Sequence, residues 1–439
     1  MTETNLDALV TSPPTLGLPS ETGTIRGIRI EVVAGPDAGL LHIAAGDRVV
    51  VGTHRTADVV LTDRTVSRFH VELAIDRDGA SLRDLGSRNG TLLDGVWIEK
   101  CRLRGPTIVV VGSTELRIDL EGDLLTPTLA PQERFGDLVG ASPVMRAVFA
   151  RLEHAALHDT HVLIEGERGT GKDLAAAHLH EQGARRDQPF DIVDCAGPPL
   201  DVEDALFGRR DDPGALVRCD SGTLVLDEIG ALSRTTQRTL ARVLESGALR
   251  LARGDTQSVN VRIIALSRRS LRPDVNADRF APDLYELVAR ARIRLPPLRE
   301  HPEDVPLLVQ WALDRVHGSS SRGAAHLLAA DTLEALRCAP WPGNVRELRA
   351  YVEQTVAADG VSLDDNSEPP LVDATVTLRD ARERWVRYFE REYLTELLAR
   401  SQGNVAAAAI IAGVDRVHLH RMITRCGLRD LLRSNREGH

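Results

Sequence analysis

The stretch "VLIEGERGTGKDL", Val162–Leu174, decides how the centre of this chain folds. Val162 to Glu165 reads as a buried strand, the turn after it carries glycines at 166, 169 and 171, and a helix is expected to begin near Lys172. In that order, strand, turn and helix let backbone amides curl around phosphate oxygens at a helix N-terminus, where the dipole favours an anion. Lys172 adds a point charge for the outer phosphates. Lys100 and Lys172 are the only lysines, and every other basic residue is arginine, so the lysine in this turn stands out. Gly166, Glu167, Arg168, Gly169, Thr170, Gly171, Lys172 and Asp173 are the candidate nucleotide-binding residues. Asp173 stands where a magnesium-binding Ser or Thr is usual.

Downstream, "GTLVLDE" supplies a second apolar strand that ends in two acids. Asp227 is suited to orienting a magnesium ion and Glu228 to polarising a water, which makes them the candidate catalytic pair. Helical stretches such as "SPVMRAVFARLEHAAL" alternate with "HVLIEG", "GTLVLDE" and "VRIIALS". That alternation predicts a parallel α/β sheet over 138–358, with a helical part after "LPPLRE".

These motifs resemble the AAA+ ATPase domain of sigma-54-interacting transcription activators, the bacterial enhancer-binding proteins. The residues that carry the resemblance are "LVGASPVM" from Leu138, "GERGTGKD", "LFG" at Leu206, "GTLVLDEIG", "LPPLREHPEDVPLL" from Leu295 and "WPGNVREL" from Trp341. An acid after the loop lysine is common in that family, and Arg346 matches its second sensor arginine, which reaches the nucleotide phosphates. The resemblance implies ATP and magnesium as ligands.

The chain departs from the family at four places. After "LFG" the family usually carries a GAFTGA loop that touches the sigma factor, whereas here thirteen residues, Arg209 to Ser221, separate "LFG" from "GTLVLDE". The two positions that normally reach the neighbouring subunit's active site with arginines read Ala281 and Leu287 in "RFAPDLYELVARARI". Such arginines are worth roughly 10³ to 10⁵ in rate. The first sensor asparagine falls at Arg268, and the asparagine that restrains the catalytic acid falls at Asp194. The binding parts are kept and the hydrolytic parts are altered, so ATP hydrolysis is left open.

From about Thr24 to Leu120 the chain is a series of short β-branched runs, "IRIEVVAG", "DRVVVG", "ADVVLT", "FHVELAI" and "TIVVVG", which predicts an all-β sandwich over 24–120. "VGTHRTADVVLTDRTVSRFHVEL" with "DLGSRNGTLLDG" resembles the forkhead-associated domain, which binds phosphothreonine peptides through its loops. A dianionic phosphate wants guanidinium and hydroxyl donors on rigid turns. The resemblance implies Ser67 and Arg68 as phosphate contacts, Asn89 on the peptide backbone and His70 bracing the loop. The arginine expected after Gly52 is Thr53, and Arg55 stands two residues on. A serine/threonine kinase or another phosphothreonine protein is the implied partner.

Residues 121–137 and the acidic 359–377 read as linkers, and the remainder, 378–439, as helical. "YLTELLARSQGNVAAAAIIAGVDRVHLHRMITRCGL" has the outline of a helix-turn-helix and resembles the factor-for-inversion-stimulation type that closes enhancer-binding proteins. From Ser401 onward six arginines face Asp415, Asp430 and Glu437. That local +3 sits in a chain of net charge -10, so a double-stranded DNA contact has to be a patch of this kind. Arg416, His418, Arg421 and Arg425 are the candidate DNA-binding residues, with the last helix in the major groove.

At 42% hydrophobic and 27% charged, the 439-residue chain is expected to fold as several globular domains. Cys101, Cys195, Cys219, Cys338 and Cys426 form no CxxC pair, which fits reduced thiols better than a disulfide or zinc framework. The opening "MTETNLDALVTSPPTLGLPSETGT" has no basic region and no long apolar run, so neither a signal peptide nor a membrane partner is expected, and the reading is cytoplasmic. Three functions stay open. One is an ATP-binding DNA regulator that does not remodel sigma-54, acting as a dimer or ring with RNA polymerase as a further partner. The others are a working ATPase activator, and a phosphopeptide adaptor that modulates an intact relative.

Overall fold

The structure is a computed structural model that describes residues 25–44, 48–76, 79–125, 129–209, 212–251, 254–316, 326–359, 389, 392–401, 405–412 and 419. The chain divides into two compact units, Met1–Val361 and Ser362–His439.

The first unit begins with a sandwich of eleven strands: β1 (Ile25–Ala34), β2 (Leu41–Ala44), β3 (Arg48–Gly52), β4 (Val59–Val60), β5 (Val71–Asp76), β6 (Gly79–Asp84), β7 (Thr91–Leu93), β8 (Val96–Ile98), β9 (Lys100–Leu103), β10 (Thr107–Val111) and β11 (Thr114–Leu125). One sheet has the order β2-β1-β11-β10-β7-β8 and the other β4-β3-β5-β6-β9. Side chains alternate across each strand, so Ile28, Ile30 and Val32 of β1 meet Val71 and Leu73 of β5 and Leu116 and Ile118 of β11 in one apolar core. Each such side chain stabilises the fold by about 1.5 to 3 kcal/mol when fully buried. Strand β3 keeps the alternation but is apolar on both faces. Val49 and Val51 enter the sandwich core, while Val50, also fully buried, joins a second cluster with Ala57, Phe69, Leu85, Phe280, Leu284 and Tyr285. One face of the sandwich is therefore covered by the next domain.

The stretch expected to be a linker is largely structured. Strand β11 continues to Leu125, paired with β1 across a bulge between Ile25 and Gly27, and a small hairpin, β12 (Arg134–Phe135) with β13 (Leu138–Val139), follows. Ala130 and Phe135 are buried in the core of the domain after it.

That domain carries five parallel strands: β14 (Val162–Glu165), β15 (Phe190–Asp194), β16 (Thr223–Asp227), β19 (Arg262–Ser267) and β20 (Ala291–Arg294), in the order β15-β16-β19-β14-β20. A short antiparallel pair, β17 (Ala248–Arg250) and β18 (Thr256–Ser258), lies between β16 and β19 in the chain. Strand β14 is buried along its whole length, as a strand with both faces covered must be. Its flanking helices are α1 (Pro143–Leu157) and α2 (Lys172–Glu181), which pack Phe149, Leu152, Ala176 and Leu179 against Val162 and Ile164. Because β14 lies between β19 and β20, its C-terminal end opens at a switch point of the sheet, where ligands bind in open α/β folds.

Further helices are α3 (Pro199–Phe207), α4 (Ala215–Arg218), α5 (Arg234–Ser246), α6 (Arg272–Asn276) and α7 (Pro282–Val288). A helical lid follows: α8 (Val305–Arg315), α9 (Ala330–Cys338) and α10 (Asn344–Asp359), around Val305, Val309, Trp341, Leu348 and Val352. In the second unit, α11 (Val405–Ala412) contributes Ala408 and Ala409 to a small core with Leu394, Leu397, Leu398 and Leu419. Arg416, His418, Arg421 and Arg425 lie outside the described residues. Among the described residues no helix is long and apolar enough to cross a membrane.

Candidate functional site

The turn between β14 and α2 has Gly169 at φ 81° and Gly171 at φ 96°, left-handed conformations that favour glycine. Space makes the same demand, since a Cβ on Gly169 would lie 2.1 Å from the Gly343 carbonyl of the lid. Lys172 is 7% exposed, and its Nζ donates to the Gly166 and Glu167 carbonyls at 2.8 and 3.1 Å. Burial pushes its pKa down, against Glu228, Asp173 and Asp227.

The lid is fastened to this turn. Arg299 donates to both carboxylate oxygens of Glu167 at 2.5 and 2.7 Å, the bidentate geometry that suits guanidinium and carboxylate. Fully buried Asn344 donates to the Arg168 carbonyl at 2.9 Å and accepts from the Leu298 amide at 2.8 Å. The Arg346 amide donates to the Gly169 carbonyl at 3.3 Å, and its guanidinium lies 3.5 Å from Asp173. Gly166 to Asp173 and Arg346 thus converge on one place, as the sequence pattern requires.

Asp227 and Glu228 stand at the end of β16. Burial first, then the carboxylates of Asp173 and Asp194, push the Asp227 carboxyl up, while Lys172 pulls it down. Carboxylates held near one another beside a phosphate loop are oxygen donors for a hard divalent cation. Magnesium keeps several waters and needs only one or two protein carboxylates besides the phosphates, so Asp227 with Asp173 fits it. Among the described residues no cluster of three or more His, Cys, Asp or Glu side chains forms a closed metal cage.

Glu228 holds an unusual backbone conformation, φ 54° and ψ 48°, and its carboxylate forms an ion pair with Arg268, whose Nε lies 2.9 Å away. Burial pushes the Glu228 carboxyl up and Arg268 opposes it. Arg268, just past β19, is thus the partner of the candidate catalytic base, a contact that the sequence reading did not anticipate. Asp194 turns instead to its own loop, where it accepts from the Ala196 amide at 2.9 Å. Ala281 is 2% exposed, its amide bonded to Gln237, and Leu287 packs on the same apolar cluster. After α3 the chain closes at once. Gly208 at φ 88° and Gly214 at φ 76° face each other so closely that a Cβ on either would lie 2.4 Å from the other side of the turn.

In the sandwich, fully buried His70 ties two loops together. Its Nδ1 accepts from the Ser67 amide at 3.1 Å and its Nε2 donates to the Gly90 carbonyl at 2.9 Å, which is the neutral tautomer that burial favours. Ser67 Oγ accepts from the Arg88 amide at 2.9 Å, and Asn89 donates to the Thr65 carbonyl at 2.7 Å. The two arginines point elsewhere. Arg68 Nη1 donates to the Val275 carbonyl at 2.9 Å and to Asp278 Oδ1 at 2.7 Å, and Arg55 pairs with Glu286. Ser67 and Asn89 brace the loops, while Arg68 and Arg55 are engaged by the ATPase domain.

A five-stranded parallel sheet with a phosphate loop after the interior strand β14, two acids at the end of β16 with β19 between those two strands, and a helical lid over the loop defines an AAA+ ATPase domain. Two family models agree, the sigma-54 interaction domain matching residues 138–294 and the AAA+ ATPase lid domain 299–365; a third, the cytoplasmic domain of an inner membrane component of T3SS, matches residues 31–122 of the sandwich. The chain is similar to the nitrogen assimilation regulatory protein NtrX of Azorhizobium caulinodans, 34% identical over 319 residues that cover 66% of this chain and 69% of that protein. It is similar to the transcriptional regulatory protein ZraR of Klebsiella oxytoca, 35% identical over 316 residues that cover 68% and 70%. A crystal structure of NtrX from Brucella abortus in complex with ATP is 31% identical, covers 67% of this chain and 70% of that one, and superposes with a TM-score of 0.47. The chain belongs to the family of transcription regulators with a sigma-54 interaction domain.

Proposed function

We propose that this chain is a DNA-binding transcription regulator that uses ATP, with magnesium, to set its conformation and assembly, and does not remodel sigma-54. The observation that carries the reading is the Arg268–Glu228 ion pair at 2.9 Å. A catalytic carboxylate must be ready to accept a proton from water, and one paired with a guanidinium is a poorer base than it would be alone. The closed turn between Gly208 and Gly214, and Ala281 and Leu287 where arginines would reach a neighbour, point the same way.

Asp227 and Asp173 would hold magnesium, Lys172 and Arg346 would bind the outer phosphates, and Asn344 and Arg299 would keep the lid over the loop. Magnesium supplies neutralisation of phosphate charge when bound. The C-terminal helices carry the DNA contact in this reading, supported by the six arginines from Ser401 onward. Ser67, Arg68, Asn89 and Arg55 form a forkhead-associated phosphothreonine site fed by a serine/threonine kinase, supported by the loops that His70 braces. The working form is a homo-oligomer, and RNA polymerase is the partner at the promoter.

One titration tests this. ATP binding, hydrolysis and assembly state are followed together in the full chain, beside an ATP-dependent promoter-opening assay with sigma-54 polymerase. Binding with assembly but without opening is expected. Promoter opening by the purified protein would falsify it.

A further inference from the structure

We infer that the loops assigned to phosphothreonine are docked on the chain's own ATPase domain, so that the ledge from Arg272 to Glu286 is an internal competitor of any phosphothreonine ligand. The inference rests on the phosphothreonine reading above and adds what occupies that site.

Arg68, the side chain expected to meet phosphate, instead meets a carboxylate. Its Nη1 donates to Asp278 Oδ1 at 2.7 Å and to the Val275 carbonyl at 2.9 Å, which is how a guanidinium holds any anion flanked by an acceptor. Beside it, Asn276 imitates an extended peptide. Its Oδ1 accepts from the Phe69 amide at 3.1 Å, and its Nδ2 donates to the Phe69 and Leu85 carbonyls at 2.5 and 3.0 Å. These backbone groups give main-chain affinity when a domain adds a peptide along a loop or strand edge.

The contact has an apolar floor as well as an ionic rim. Phe69 is fully buried, with the Tyr285 ring at 5.3 Å and the Arg272 guanidinium over its face at 5.1 Å. Val50, Ala57 and Leu85 of the sandwich share a cluster with Val275, Phe280 and Leu284. Apolar floors of this kind hold an interface together, while the charges decide what displaces it. A phosphothreonine carries more charge and more acceptors than Asp278, so it competes for Arg68 at the exposed rim, and a peptide backbone competes with Asn276. Both cannot be bound at once, because Arg68 and the Phe69 backbone are shared.

The test uses the full chain and, as probe, a fluorescent degenerate peptide pool with one fixed phosphothreonine, with the same pool bearing threonine as control. The wild type is compared with Asn276→Ala/Asp278→Ala and with Asp278→Asn, whose exposed position spares the fold. The phosphothreonine pool should bind the double variant about tenfold more tightly than the wild type, as expected when two competing polar contacts are removed. Hydrogen exchange across 67–70 should be slow in the wild type, and faster in the double variant. Across 275–278 the wild type should exchange faster once the pool is bound. Equal affinity in all three chains, or 275–278 still protected with the pool bound, overturns the inference. If no chain binds the pool while exchange still differs between wild type and double variant, the phosphothreonine reading fails and the competition with it, and the docked contact alone stands.

Discussion

The proposed nucleotide site has two halves at the ends of strands of one sheet, and they differ in what surrounds their charges. On β14 the loop is arranged around a place for phosphate: Lys172 is buried beside it, Arg346 lies over it, and the lid is fastened to it through Asn344 and Arg299. At the ends of β16 and β19 the charges have already met, since Glu228 is ion-paired with Arg268. Binding requires a fixed cradle and an attracting field, whereas turnover requires a base whose lone pair is free at the right moment. In the proposed reading a chain keeps the first and restrains the second with one arginine.

The largest effect should come from removing the one charge that the binding half cannot replace. Lys172→Ala should weaken ATP binding at least about 100-fold, near 2.7 kcal/mol, as measured by calorimetry on full chain of unchanged melting temperature. A loss under about fivefold would break the comparison, because phosphate would then be held by something other than this loop.

The turnover half is tested by freeing its base. Arg268→Asn should raise ATP turnover about tenfold at saturating ATP while leaving affinity within about twofold, and adding Glu228→Gln should remove the gain. Turnover unchanged in Arg268→Asn would mean that the ion pair is not what restrains hydrolysis. The positions at Ala281 and Leu287 would then carry the whole deficit.

What the sequence revealed follows the same division. The phosphate loop was legible because strand, glycines, lysine and helix lie within a dozen or so consecutive residues, and local order fixes their geometry. The alternation of helices and apolar strands likewise announced the sheet. The Glu228–Arg268 pair was not legible: the sequence showed a missing asparagine at Arg268 but not where its replacement reaches, because that depends on two strands ending side by side. The docked sandwich was hidden for the same reason, since nothing local marks Asn276 as a partner of Phe69. One signal was available. "VVV" at Val49 to Val51 is too uniformly apolar for a strand with one wet face, and Val50 is indeed buried against the ATPase domain. The expected linker at 121–137 was misjudged because its Pro and polar residues hid Phe135 and the end of β11, which bury or pair only in the tertiary structure.

The smallest effect concerns the strap between loop and lid. Arg299, bonded to both oxygens of Glu167, holds that carboxyl below the ordinary glutamate range. Both side chains are close to half exposed, 40% for Glu167 and 48% for Arg299, so solvent screens the pair and its worth is modest. Glu167→Gln should therefore weaken ATP binding only about threefold, within the range for exposed pairs. A group with a depressed folded pKa contributes fully above its unfolded value, near 4.3 for glutamate, and loses that contribution as pH falls through the depressed value. The threefold gap should thus be constant from pH 8 to about 5 and close only below about 4, as read by nucleotide fluorescence across the series. A gap that closed between pH 7 and 6 would mean that another titrating group fastens the lid, and the binding half would then owe its closure to something other than Glu167 and Arg299.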